Sequence, residues 1–207
     1  MDELEKMIME RHSRNQMLKI VRYVGTNKER FNKLVSCCLK GGVLAQRASW
    51  PLRNCGKKNS IFLIPQLGKL LSVIEKPCHP ALKRSVVTLL EEIDIPPRLD
   101  ARVIDICFQF LNDREETVAV KAFSMTVLAK MCLKHEDLLG ELLSSIESQL
   151  PFASGAIHSR ARRVFKYILK YGSEEQKVRL MESNFRPKMM SDLPIFTTHP
   201  YDEDRNL

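Results

Sequence analysis

The stretch TVAVKAFSMTVL, residues 117–128, writes a basic residue, then a small one, then apolar residues at helical spacing. The same word returns as QRASWPL from Gln46, KRSVVTLL from Lys83 and SRARRVF from Ser159. The basic anchors Arg47, Arg84, Lys121 and Arg160 stand 37, 37 and 39 residues apart, and Ala48, Ser85, Ala122 and Ala161 follow them. A second landmark, Leu34, Leu71, Phe108 and Ile146, keeps step at 37, 37 and 38 residues. Two landmarks on one period predict a tandem array of helical hairpins. Each unit of this length buries its apolar face only against the next one.

Turn signals at 41–42, 56–60, 76–80, 95–97, 112–116 and 150–155 divide the chain into segments of about one helix each. The hairpins are expected at 27–40 with 43–55, 60–75 with 79–93, 98–112 with 117–134, and 136–149 with 155–171. A leading helix over 3–24 and a short one over 173–183 close the ends, the latter opened by a Ser173–Gln176 capping box. Ala122, Met125 and Leu128 share one helix face, which each second helix turns toward its neighbours. Pro51 is expected to kink its helix or mark an irregular start. The fold class is all-α, a right-handed α-α superhelix of about four hairpins with capping helices. One domain spans 1–183, and a proline-containing tail follows over 184–207.

Composition sets the class of partner. Apolar residues make up 44% and charged residues 28%, as in a globular chain, and the net charge is +8. That balance favours an acidic protein, nucleic acid or an anionic surface. No apolar run nears the roughly 20 residues of a membrane span, and MDELEKMIMERHSR lacks a signal-peptide core, so the cytoplasm is expected. Cys37, Cys38, Cys55, Cys78, Cys107 and Cys132 form no C-x-x-C and no zinc spacing with a histidine. They read as core residues, and no metal or cofactor is expected. His12, His79, His135, His158 and His199 are scattered, and no phosphate-binding loop or nucleophile elbow is written.

The period and the pattern VAVKAFSMTVL resemble the HEAT repeats of the armadillo-type α-solenoids, with Val120-Lys121-Ala122 where that pattern has Val-Arg-x-Ala. Leu63-Ile64-Pro65, Cys107-Phe108, VAVKAFSMT and SRARRVFKYIL, spread over roughly 45–170, also resemble a family of small bacterial HEAT-like proteins often labelled adenylosuccinate lyase. The lyase loop S-x-x-M-P-x-K-x-N is not written here. The nearest words, Met189-Met190-Ser191-Asp192-Leu193-Pro194, lack its lysine and asparagine. HEAT repeats often pair an aspartate of the hairpin turn with a neighbouring anchor. Only Asp113, eight residues before Lys121, stands in that place, which leaves other anchors open for binding.

The resemblance and the absence of a catalytic pattern imply a non-catalytic interaction module for a protein or other extended acidic partner. The alternative is a nucleic-acid-binding or base-acting solenoid. The candidate anion-binding residues are Arg84, Lys121, Arg160, Arg162, Arg163, Lys166 and Lys170. Four of them share an arc about 100° wide on residues 157–172. Residues 156–190 hold nine Lys/Arg against three Asp/Glu. Trp50, the single tryptophan, shares its repeat position with Arg163 and is the candidate groove aromatic, with Asp113 as a conceivable acid beside a base. The acidic end Asp202, Glu203 and Asp204 is expected to reach back to the basic face.

Overall fold

The computed structural model describes residues 2–183. The tail over 184–207, its acidic end and the Met189–Pro194 words lie outside the described residues. The helices are α1 (Glu3–Glu10), α2 (Arg14–Val24), α3 (Lys28–Leu39), α4 (Gly42–Lys58), α5 (Ser60–Leu63), α6 (Leu67–Ile74), α7 (Pro80–Glu92), α8 (Asp100–Asn112), α9 (Val118–Cys132), α10 (Leu138–Gln149), α11 (Gly155–Tyr171) and α12 (Glu174–Glu182). No strand occurs among the described residues.

Hairpins stack as the period requires. The second helices form one layer: α4 packs on α7, α7 on α9 and α9 on α11. The first helices, α3, α5–α6, α8 and α10, form the other. Both sequence landmarks lie inside. Leu34, Leu71, Phe108 and Ile146 are buried, and so are the small residues Ala48, Ser85, Ala122 and Ala161. The small side chains let the helices approach, and the apolar ones fill the space between layers.

Two helices differ from the expected bounds. The leading helix breaks at Arg11–Ser13 into α1 and α2, a further hairpin that packs on α3 and α4. The Ser13 side chain caps α2 by accepting from the Gln16 amide at 3.2 Å. The Gln16 side chain donates to the Met7 carbonyl at 2.7 Å and to Glu10 at 3.0 Å, which satisfies the freed end of α1. The first helix of the second hairpin divides into α5 and α6 around a 3-10 turn holding Pro65. Pro51, by contrast, sits buried inside α4, which starts at Gly42 and runs on to Lys58. The turn into α4 uses Gly41 and Gly42 at φ of 79° and 59°, a region that side chains with a Cβ rarely adopt. The Ser173–Gln176 capping box is present.

Ties between hairpins come mostly from side chains one repeat apart. Arg47 donates to the Met9 carbonyl at 2.6 Å. Lys130 donates to the Glu91 and Ile93 carbonyls at 2.8 and 3.0 Å, and burial pushes its pKa down. Gln149 donates to the Leu111 carbonyl at 2.8 Å. Arg102 grips Glu75 with two hydrogen bonds, at 2.7 and 2.6 Å. Asp113 does not act as the turn aspartate of a ladder. Its carboxylate accepts from the Glu115 amide inside its own turn. Glu116 takes that place instead, pairing at 2.6 Å with Lys83 of the preceding hairpin while its side chain is 3% exposed.

Glu116→Ala removes the acceptor for both Lys83 and the Thr117 amide. It is expected to lower unfolding stability by about 2–3 kcal/mol in a urea melt. The Arg102 hydrogen bonds hold the Glu75 carboxyl below the usual carboxylate range. This tie is therefore whole above the ordinary glutamate titration at about pH 4.3 and is lost as pH falls through the lower folded value. An NMR titration of Glu75 is expected to show its midpoint rising in Arg102→Gln.

Candidate functional site

The layer of second helices carries a cleft of about 760 Å³. Helix α4 supplies Trp50 and Arg53, separated by three residues and so on one face. Helix α7 brings His79 at its start and Arg84 one turn later, and α9 brings Phe123. The break between α1 and α2 places His12 at the edge of the cleft, its ring 5.9 Å from that of Trp50 in an edge-to-face arrangement. Among the described residues, no carboxylate lines this cleft.

Arg84 is exposed and Arg53 half-buried, and neither guanidinium has a hydrogen-bond or ion-pair partner among the described residues, the Arg84 carbonyl alone accepting from the Thr88 hydroxyl at 2.7 Å. Two backbone dipoles add to their charge. The start of α7 lines the cleft, and His79 Nδ1 accepts from the Ala81 amide there. Thr117 heads α9 without a side-chain cap, because its hydroxyl donates to Glu116 at 3.2 Å. The first-turn N–H groups of α9 thus sit uncapped beside the cleft that Thr117 and Ala119 line.

Arg53 and Phe123 also line an adjoining hollow of about 510 Å³ with Thr88, Glu91 and Glu92, so the two form one trough. Its far end is charge-balanced. Glu92 meets Lys57 at 3.6 Å. Glu91 meets Arg160 at 3.2 Å, and Arg160 also donates to Thr126 at 2.8 Å and lies over the Phe123 ring at 4.7 Å.

The structure divides the seven basic candidates. Arg84 joins Trp50 in the cleft. Arg160 is committed to Glu91 and Thr126, and Lys121 lines neither hollow. Arg163, Lys166 and Lys170 stand exposed together along α11, away from the cleft, with Lys170 4.9 Å from the Tyr171 ring. Arg162 is half-buried, its Nε enclosed without an acceptor. Trp50 and Arg163, equivalent in the repeat, therefore face different surroundings. Asp113 lines a separate hollow on the first helices, with Lys83 and Arg102, so Trp50 and Asp113 do not meet in one site.

Sequence reasoning missed Arg53, His12 and Phe123. The i, i+3 spacing from Trp50 was a usable signal for Arg53. His12 depended on the helix break, and Phe123 on the packing of α9 against α7.

Among the described residues, no group of three or more His, Cys, Asp or Glu could hold a metal ion, and no helix is long and apolar enough to cross a membrane. The thiols sit in the core. Burial pushes Cys55, Cys107 and Cys132 up to about 12 and Cys37 up to about 11, and it raises Cys38 and the half-buried Cys78 as well. In a native-state thiol assay Cys78 is expected to react first, and the other five only after denaturant is added.

A family model described as HEAT repeat domain matches residues 4–168. No curated protein and no solved structure matches the chain.

Proposed function

We propose that this chain, which belongs to the HEAT repeat domain family, is a non-catalytic α-solenoid module that holds an extended acidic segment of a protein partner in its α4–α7–α9 trough. The observation that carries the reading is the pair Arg53 and Arg84. Among the described residues they are the Lys/Arg side chains that line the cleft and no carboxylate does, while Lys83, Lys57, Arg102 and Arg160 are each tied to an acid. A stacked-hairpin surface suits an extended partner, because it offers a long face with repeated contacts. Unpaired guanidinium groups beside aromatic rings are the side chains that most often anchor such contacts. The free cysteines are in keeping with a reducing compartment, and the reading includes a cytoplasmic location.

A nucleic-acid partner is the second reading. It is favoured by Trp50 standing beside Arg53 and Arg84, and by the exposed row Arg163, Lys166 and Lys170 on α11. Fluorescence anisotropy across a salt series separates the two. Labelled oligoglutamate is expected to bind, to weaken with salt, and to lose about tenfold in affinity in the double variant R53E/R84E. The triple variant R163E/K166E/K170E is expected to leave that binding nearly unchanged. Oligonucleotide binding that the triple variant abolishes, with no oligoglutamate binding, would establish the second reading instead.

A further inference from the structure

The positive charge of the trough is concentrated at one end, and this narrows the partner. We infer that the trough takes a short protein segment in which one or two carboxylates flank a large apolar side chain, with its negative charge confined to that spot. The inference rests on the acidic-protein reading above and specifies its motif.

Three features of the trough carry it. First, the charge is local. Arg84 lies near the start of α7, and Glu91 follows seven helical residues later, about 10 Å along the axis at roughly 1.5 Å per residue. At that distance the trough presents Glu91 and Glu92, each already paired with a base. A second anionic group there finds only Arg53, which the cleft already shares, and meets two carboxylates. A polymer with uniform negative charge would match one end of the trough and be repelled by the other.

Second, the cationic end has an apolar floor. Trp50 and Phe123 lie in it with Pro80, Ala81 and Ala119. At about 760 Å³ the cleft is far larger than two carboxylates need and falls in the range of sites that enclose a bulky group. An aromatic or long aliphatic side chain fits within that volume and covers part of the apolar lining, and the flanking carboxylates then reach Arg53 and Arg84. Third, both guanidinium groups lack partners among the described residues, so binding breaks no existing ion pair.

The single tryptophan makes the site directly observable, because Trp50 lies in the cleft. The probes are tryptophan-free peptides of about ten residues, which span the trough at roughly 3.3 Å per residue. One carries Glu-Phe-Glu in a Gly/Ser background, the second Glu-Ala-Glu, and the third is oligoglutamate. Oligothymidylate is the fourth probe. The Glu-Phe-Glu peptide is expected to shift Trp50 emission and to bind about tenfold more tightly than the second and third probes. Its affinity should fall about tenfold in R84E. A Lys-Phe-Lys peptide should bind the double variant R53E/R84E better than it binds the natural protein. Both positions reach solvent, and matched thermal melts check that the variants fold.

If oligoglutamate binds as tightly as Glu-Phe-Glu, the short motif is wrong and the acidic-protein reading stands. If Glu-Phe-Glu binds with no change at Trp50, the site is not this cleft and the inference falls. Tighter binding of oligothymidylate than of every peptide, or no loss in R84E with any acidic probe, would overturn both.

Discussion

A helix end next to another helix must find partners for its last carbonyls, and this chain finds many of them one repeat away. Arg47 reaches Met9, Lys130 reaches Glu91 and Ile93, Lys134 reaches Ile95 and Gln149 reaches Leu111, across sequence separations of 38, 39, 37, 39 and 38 residues. Each bond holds a carbonyl at or just past a helix end of one hairpin with a side chain of the next. Slipping one hairpin against its neighbour would strand these carbonyls and also misplace Ala48, Ser85, Ala122 and Ala161, which lie buried at helix contacts. The register of the stack therefore rests on polar ties and small-residue contacts that share one period. Apolar burial supplies the larger free energy, but burial has no direction and would tolerate a slip that the ties do not.

This is why the architecture was legible and the details were not. The period of 37 is written in residue types, and buried small and apolar residues return at the same place in each unit. The break at Arg11–Ser13 is not written that way. An amphipathic pattern runs across it, and the stop depends on Gln16 bonding back to Met7 and Glu10, which needs the folded hairpin. The turn acid was sought eight residues before an anchor, where Asp113 stands. The acid that pairs is Glu116, and its partner is Lys83 rather than the anchor beside it. Spacing rules from a repeat family give the position of a side chain along the helix. They do not give its partner when the loop between helices changes length.

The candidate site shows the same limit. Arg84 was visible as one of the four repeat anchors, and Trp50 as the single tryptophan of the chain. Their convergence with Arg53, His12 and Phe123 was hidden, since it draws on four segments separated along the chain. The basic arc of α11 was the loudest signal in the sequence, and Arg163, Lys166 and Lys170 do share a surface, but not the cleft. A run of charge on one helix reports one helix. A binding trough in a stacked array takes one or two residues from each of several helices, so no single segment announces it.

Across the four anchors one repeat position is put to different uses. At the first hairpin Arg47 is spent on the end of α1, and at the last Arg160 is spent on Glu91 and Thr126. Arg47 closes the end of the short helix α1, whereas Arg160 reaches inward across α9 to α7. In the middle, α7 lies between α4 and α9, and its last carbonyls are already held by Lys130. The anchor there, Arg84, has no structural duty among the described residues and stands at the mouth of the cleft. A guanidinium in water contributes little to stability. Its value lies in what it can meet, and the centre of the stack is where a partner would touch the most hairpins at once.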